Sequence, residues 1–125
     1  MFKIIIADDH PIVLQALKKT LQEEFPAVRI EEAADTTLLL EKVGKENWDL
    51  VISDLAMPGG GGLIALRKIK QLQKNLPVLI ISTYPSEQYR NSAIKAGAED
   101  FISKDAFPGE IISAVKRILD KNNLQ

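Results

Sequence analysis

Three aspartates stand where near-continuous apolar runs stop: Asp8 and Asp9 follow the run at residues 2–7, and Asp54 follows Leu50, Val51, Ile52 and Ser53. If the two runs are neighbouring parallel strands, the carboxylates converge on one spot. Like charges about 4 Å apart repel by roughly 4 kcal/mol at an effective dielectric near ~20, unless a cation sits among them. Oxygen donors without a Cys or a second His select Mg²⁺ or a similar hard ion, which keeps several waters and favours phosphate oxygens as companions. In that setting a carboxylate can itself be the nucleophile, forming an aspartyl-phosphate, provided the metal and a cation offset the charge on the transferring group. Asp54 is the candidate nucleophile and Lys104 the cation. Ser82, ending another apolar run, can donate its hydroxyl to a phosphoryl oxygen.

The elements that must position these groups are read from periodicity. Segments rich in β-branched residues recur at 2–7, 50–53, 78–82 and 101–103, with a more polar one at 28–33. Helical patterns lie between them. Pro11 suits a first helical position after His10, with Val13, Leu14, Leu17 and Leu21 on one face. Leu63, Leu66, Ile69 and Leu72 stripe a third helix, and Ile111, Ile112, Val115, Ile118 and Leu119 the last. Helices at 36–43 and 86–96 have weaker patterns. Five strands alternating with five helices specify an α/β fold with a parallel sheet covered on both faces. Ligands in such sheets bind beyond the carboxyl ends of the strands, where strand order reverses. Asp8, Asp9, Asp54, Ser82 and Lys104 all fall at such ends.

Composition narrows the function classes. The 125 residues fit one domain with 46% hydrophobic content, and 16 Lys plus Arg against 17 Asp plus Glu leave no basic footprint for nucleic acid or anionic lipid. The first apolar run is too short for a signal segment or a membrane span, and the absence of cysteine removes disulfide and thiolate-metal chemistry. A cytoplasmic domain over 1–121 is expected, with 122–125 as a linker or tail.

The ordered motifs resemble those of the two-component response-regulator receiver domain, most of all in its NarL/FixJ (LuxR-type) subfamily. They are Ile6-Ala7-Asp8-Asp9-His10-Pro11, Asp54 with Met57-Pro58-Gly59 and Gly62-Leu63, Ser82, Ala96-Gly97-Ala98, and Phe101-Ile102-Ser103-Lys104. The resemblance covers essentially the whole chain. It implies a flavodoxin-like, doubly wound sheet in the order 2-1-3-4-5, and a phosphoryl group accepted by Asp54 from a sensor histidine kinase. It also implies Mg²⁺ held directly by Asp9, Asp54 and the backbone carbonyl of Ala56, with Asp8 acting through water. Ser82 and Phe101 would be switch residues that reshape the face of the fourth helix, fifth strand and fifth helix. That face would form a homodimer on phosphorylation or meet a helix-turn-helix DNA-binding domain, which this chain does not contain. Such a domain catalyses only its own phosphoryl transfer and loss.

Three positions depart from the common pattern. Asp105 replaces the proline that usually follows the lysine, and a cis bond before a non-proline residue costs about 3 kcal/mol, so the backbone there is expected to differ. Ala56 and Tyr84 lack groups suited to orienting an attacking water, which implies a long-lived phosphoryl state. Gly59 to Gly62 form an unusually glycine-rich loop that is expected to be mobile.

Plainer readings compete at several residues. His10, the single histidine, is read as a helix-entry residue and not as a metal ligand. Phe101 is equally a core residue or a switch, Trp48 is packing, and Arg67, Lys68 and Lys70 form a solvated helix face. The hydroxyl of Ser82 could simply be satisfied by nearby backbone. Gly60-Gly61-Gly62-Leu63-Ile64-Ala65 fits a dinucleotide-binding fingerprint, but its glycines do not follow the strand directly and no acid ends the next strand. A degenerate receiver acting as a constitutive interaction module, and a small Mg²⁺-dependent aspartyl-phosphate phosphatase, are the alternatives from other classes. The latter ordinarily needs Asp-x-Asp, and Asp54-Leu55-Ala56 lacks the second acid.

Overall fold

The computed structural model describes residues 2–84, 86–106 and 108–123. Its elements run β1 (Lys3–Ala7), α1 (Pro11–Glu24), β2 (Arg29–Ala33), α2 (Thr36–Lys45), β3 (Leu50–Asp54), α3 (Gly61–Leu72), β4 (Val78–Ser82), α4 (Glu87–Lys95), β5 (Asp100–Ser103), a 3₁₀ turn (Lys104–Ala106) and α5 (Gly109–Asn123). The strands form one parallel sheet in the order β2-β1-β3-β4-β5, as the resemblance implied. The tail expected at 122–125 is helical through Asn123, and Leu124 and Gln125 lie outside the described residues.

Alternation along the strands divides the core into two layers. Ile4, Ile6, Leu50, Ile52, Leu79 and Ile81 pack with Leu14, Leu17 and Leu21 of α1 and with Val115 and Ile118 of α5. Ile5, Val51 and Ile80 face Leu39 and Val43 of α2, Leu66 and Ile69 of α3, and Ala93 of α4. Each such fully buried aliphatic side chain contributes about 1.5–3 kcal/mol over its exposed state. Because β3 and β4 are buried on both faces, they read as continuous apolar runs.

The helix starts follow local chemistry. Pro11 occupies the first turn of α1, Asp35 caps α2 by accepting the Leu38 N–H at 2.7 Å, and Ser86 caps α4. The α3 stripe is shorter than its pattern predicts. Leu72, the last residue of the helix, is 67% exposed. At Asp105 the backbone N–H donates to Ser103 Oγ at 3.1 Å, a bond that a proline could not make.

The glycine loop is not the unrestrained segment its composition suggests. Gly59, Gly60 and Gly61 take positive φ, and a Cβ on Gly62 would lie 2.2 Å from the Asp54 carbonyl oxygen. Thr36, buried at the start of α2, accepts the Gly61 N–H at 3.1 Å, while its own N–H donates to Pro58 O at 2.9 Å. Gly62 N–H donates to Leu55 O at 2.8 Å. Gly61 and Gly62 therefore serve close approach to the end of β3, and Gly59 lies against the start of α2.

Candidate functional site

Parallel pairing of β1 with β3 sets Ala7 opposite Ser53, so the residues that follow each strand leave the sheet at the same edge. Asp8 and Asp54 are buried there, whereas Asp9 and His10 are exposed. Asp8 is fixed by its own backbone, whose N–H donates to Ala33 O of β2 at 3.0 Å. Lys104 arrives from the end of β5. Its Nζ lies 2.7 Å from Asp8 Oδ2 and 3.3 Å from Asp54 Oδ2. The nearer contact is an ion pair by distance without hydrogen-bond alignment, so Asp8 Oδ2 and Lys104 Nζ are both buried without an oriented partner.

One ammonium thus faces two buried carboxylates. Burial pushes the Asp54 carboxyl above its usual range and the charge of Asp8 adds to that, while Lys104 and the Ala56 N–H pull the other way without restoring it. The donor chemistry fits a hard cation. Asp8, Asp9, His10 and Asp54 each offer a ligand atom, all within 4.8 Å of one another, and a divalent ion among them would offset the excess negative charge.

The remaining expected site residues fall nearby or in the layers behind. Ser82 ends β4, one residue past the partner of Asp54, and is buried. Its Oγ accepts the Tyr84 N–H at 3.2 Å, so the plainer reading holds on the acceptor side while the hydroxyl proton remains to be donated. Ala56 is exposed in the bend after β3, with its N–H against the Asp54 carboxylate. Phe101 is only 4% exposed and packs in the layer of α2, α3 and α4, so its core reading holds and the ring is already inside. Arg90 of α4 donates to the Phe101 carbonyl at 2.8 Å, a link that periodicity had not signalled.

One expectation gains a detail and another needs correction. His10 does enter α1 as its N-cap, but its side chain makes no cap; Nδ1 turns to the acids instead, 2.7 Å from Asp8 Oδ1 and 3.2 Å from Asp9 Oδ1. Adjacency to Asp8-Asp9 was the available signal. Lys70 does not share the solvated face of Arg67 and Lys68. Its stem packs where Gly97 lacks a side chain, and Nζ donates to Leu76 O at 2.7 Å; burial lowers its pKa, with Glu99 opposing. Trp48 is packing, as expected, with Nε1 donating to Lys42 O at 3.0 Å.

This fold is that of a known signalling family. The response regulator receiver domain model matches residues 4–116, and the chain belongs to that family, in its NarL/FixJ (LuxR-type) branch. It is 35% identical over 123 residues to the glycerol metabolism activator of Pseudomonas putida, covering 98% of this chain and 56% of that protein. A LuxR-family two-component response regulator from Aurantimonas sp. SI85-9A1 has a TM-score of 0.88 at 31% identity, over 95% of this chain and 85% of that one. The response regulator TrrA of Thermotoga maritima, solved in complex with Mg²⁺-BeF, has a TM-score of 0.86 at 31% identity, over 95% of this chain and 100% of that one. The chain spans about half the length of the curated relatives it matches. Among the described residues, no helix is long and apolar enough to cross a membrane.

Proposed function

We propose that the chain is the phosphoacceptor domain of a two-component response regulator, taking a phosphoryl group on Asp54 from the phosphohistidine of a sensor histidine kinase. The observation that carries this reading is the single Lys104 ammonium facing the buried carboxylates of Asp8 and Asp54, a cluster short of positive charge. Asp9, Asp54 and the Ala56 carbonyl would hold Mg²⁺, with Asp8 acting through water. Both Asp8 oxygens already face other cations or donors, Oδ1 toward His10 and Oδ2 toward Lys104, which supports an indirect role. Mg²⁺, when bound, neutralises charge developing on the phosphoryl oxygens.

An Asp54 carboxylate oxygen attacks phosphorus as the P–N bond of the phosphohistidine breaks; the leaving nitrogen keeps the electron pair and is protonated from solvent. Lys104 and the Ser82 hydroxyl then donate to the new phosphoryl oxygens, drawing the segment after β4 toward the site. That movement reshapes the face of α4, β5 and α5, where Tyr89 and Ile94 of α4 are 50% and 43% exposed. Phe101 already occupies the interior, so no large inward swing is needed. The face would form a homodimer or control a C-terminal helix-turn-helix DNA-binding domain in the cytoplasm.

Intact-mass measurement with Mg²⁺ and a small acyl phosphate tests the reading. We expect one stable phosphate adduct, absent in Asp54→Asn. No adduct in the parent chain would favour a constitutive interaction module, and sustained phosphoester turnover a phosphatase. Ala56 and Tyr84 are both exposed, and neither side chain offers a group held against the site to orient a water. The adduct should therefore persist for minutes or longer, and decay within seconds would remove that part of the proposal.

A further inference from the structure

Ala56 lies between Leu55 and Pro58, and hydrogen bonds hold both of those neighbours. Leu55 N–H donates to Ile81 O of β4 at 2.8 Å, and Leu55 O accepts the Gly62 N–H at 2.8 Å. On the other side Pro58 O accepts the Thr36 N–H at 2.9 Å, a donor that the start of α2 leaves without a partner in its own helix. The Thr36 side chain adds a second tie to the same turn. Its Oγ1 accepts the Gly61 N–H at 3.1 Å and donates to Gly61 O at 3.3 Å. Thr36 and Gly61 are both buried, so losing the hydroxyl would leave the Gly61 N–H without a partner away from water. Met57, 8% exposed, packs into the layer of α2 and α3 beneath the turn.

We propose that Thr36 is a positioning residue for phosphoryl acceptance, its hydroxyl fixing through Gly61 the turn that carries Ala56. The inference rests on the phosphoacceptor reading of Asp54. Ala56 would serve that reaction twice, with its N–H against the Asp54 carboxylate and its carbonyl toward Mg²⁺. Gly59, Gly60 and Gly61 give the turn positive φ but no side chains of their own to pin it, so the pin comes from α2. Mg²⁺ tolerates little departure from octahedral geometry, so a small shift of the Ala56 carbonyl weakens its binding.

Calorimetric Mg²⁺ titration and the Mg²⁺ dependence of adduct formation, both well below the melting transition, test this on the parent chain and three variants. Thr36→Val keeps the shape of the side chain without its hydroxyl. It should weaken Mg²⁺ binding by about tenfold and raise the Mg²⁺ concentration for half-maximal adduct formation by the same factor. Thr36→Ser should recover most of that loss. Val43→Ala, buried elsewhere in α2, lowers stability by opening a cavity and should bind Mg²⁺ as the parent does. In the metal-free chain, amide exchange at Ala56 and Gly61 should quicken in Thr36→Val beyond any change in Val43→Ala. Parent-like Mg²⁺ affinity in Thr36→Val, no recovery in Thr36→Ser, or an equal loss in Val43→Ala overturns the positioning role. In those cases a Mg²⁺-dependent adduct on Asp54 of the parent leaves the phosphoacceptor reading standing, whereas a parent that forms no adduct removes both.

Discussion

At its amino end β1 presents Lys3, whose Nζ lies 3.3 Å from Glu46 Oε2 between side chains 25% and 35% exposed. Just past its carboxyl end, Asp8 and Asp54 receive Lys104 at 2.7 and 3.3 Å, with the Asp8 side chain fully buried. The solvated cluster is complete as it stands. Slight burial acts to raise the Glu46 pKa, but Lys3 and Arg29 hold it below the usual range, and both cations lie over the Trp48 ring at 5.3 and 5.8 Å. The buried cluster has more carboxylates than ammoniums and no aligned bond where the two are closest. Water forgives imperfect pairing and the interior does not, so the second cluster invites a further cation or a phosphoryl group while the first invites nothing.

Substitutions can break that contrast. Lys104→Ala leaves Asp8 and Asp54 buried without their cation and should cost about 3–5 kcal/mol in urea unfolding, part of it recovered on adding Mg²⁺. A loss no larger than at an exposed lysine would mean the cluster is solvated after all. Gly62→Ala forces a methyl group to 2.2 Å from the Asp54 carbonyl oxygen and should cost about 3 kcal/mol by displacing the end of β3. Near-native stability in that variant would show that the loop gives way freely.

Smaller effects sharpen the comparison. Asp54→Asn should stabilise the chain by about 1 kcal/mol at neutral pH, since relief from burial and from Asp8 outweighs the lost Lys104 contact. The sign follows from the direction of the shift. The folded carboxyl titrates above its ordinary 3.8, so the cost of ionising it is absent below that value and builds as pH rises through the raised one. The advantage of Asn should therefore fade on acidification, which thermal melts across pH will follow. Lys3→Ala, at the solvated end, should leave the melting midpoint unchanged within error; a clear drop would remove the distinction between the two ends.

Much of this architecture was legible in the chain. The run at 78–82 is strand β4 at the expected bounds, Pro11 opens α1, and all five apolar residues of the α5 stripe are buried, because each records only its immediate surroundings. Phe101 was legible as a core residue or a switch, and only its neighbours place the ring in the interior. Lys70 and Thr36 were misread or passed over because their partners, Leu76 and Gly97 for one and the glycine loop for the other, are brought to them by chain reversals that leave no periodic trace.

The candidate site divides along the same line. Residue types and strand ends alone determined that Asp8, Asp9 and Asp54 gather at one edge of a parallel sheet, with Lys104 and Ser82 at neighbouring strand ends. Only the tertiary structure decided that Asp8 and Asp54 are buried while Asp9 is exposed, that one ammonium spans both buried acids, and that His10 turns its ring to the cluster. Burial and side-chain direction depend on what the other strands and helices pack against these residues, and it is that packing which turns a row of ordinary carboxylates into a cluster short of positive charge.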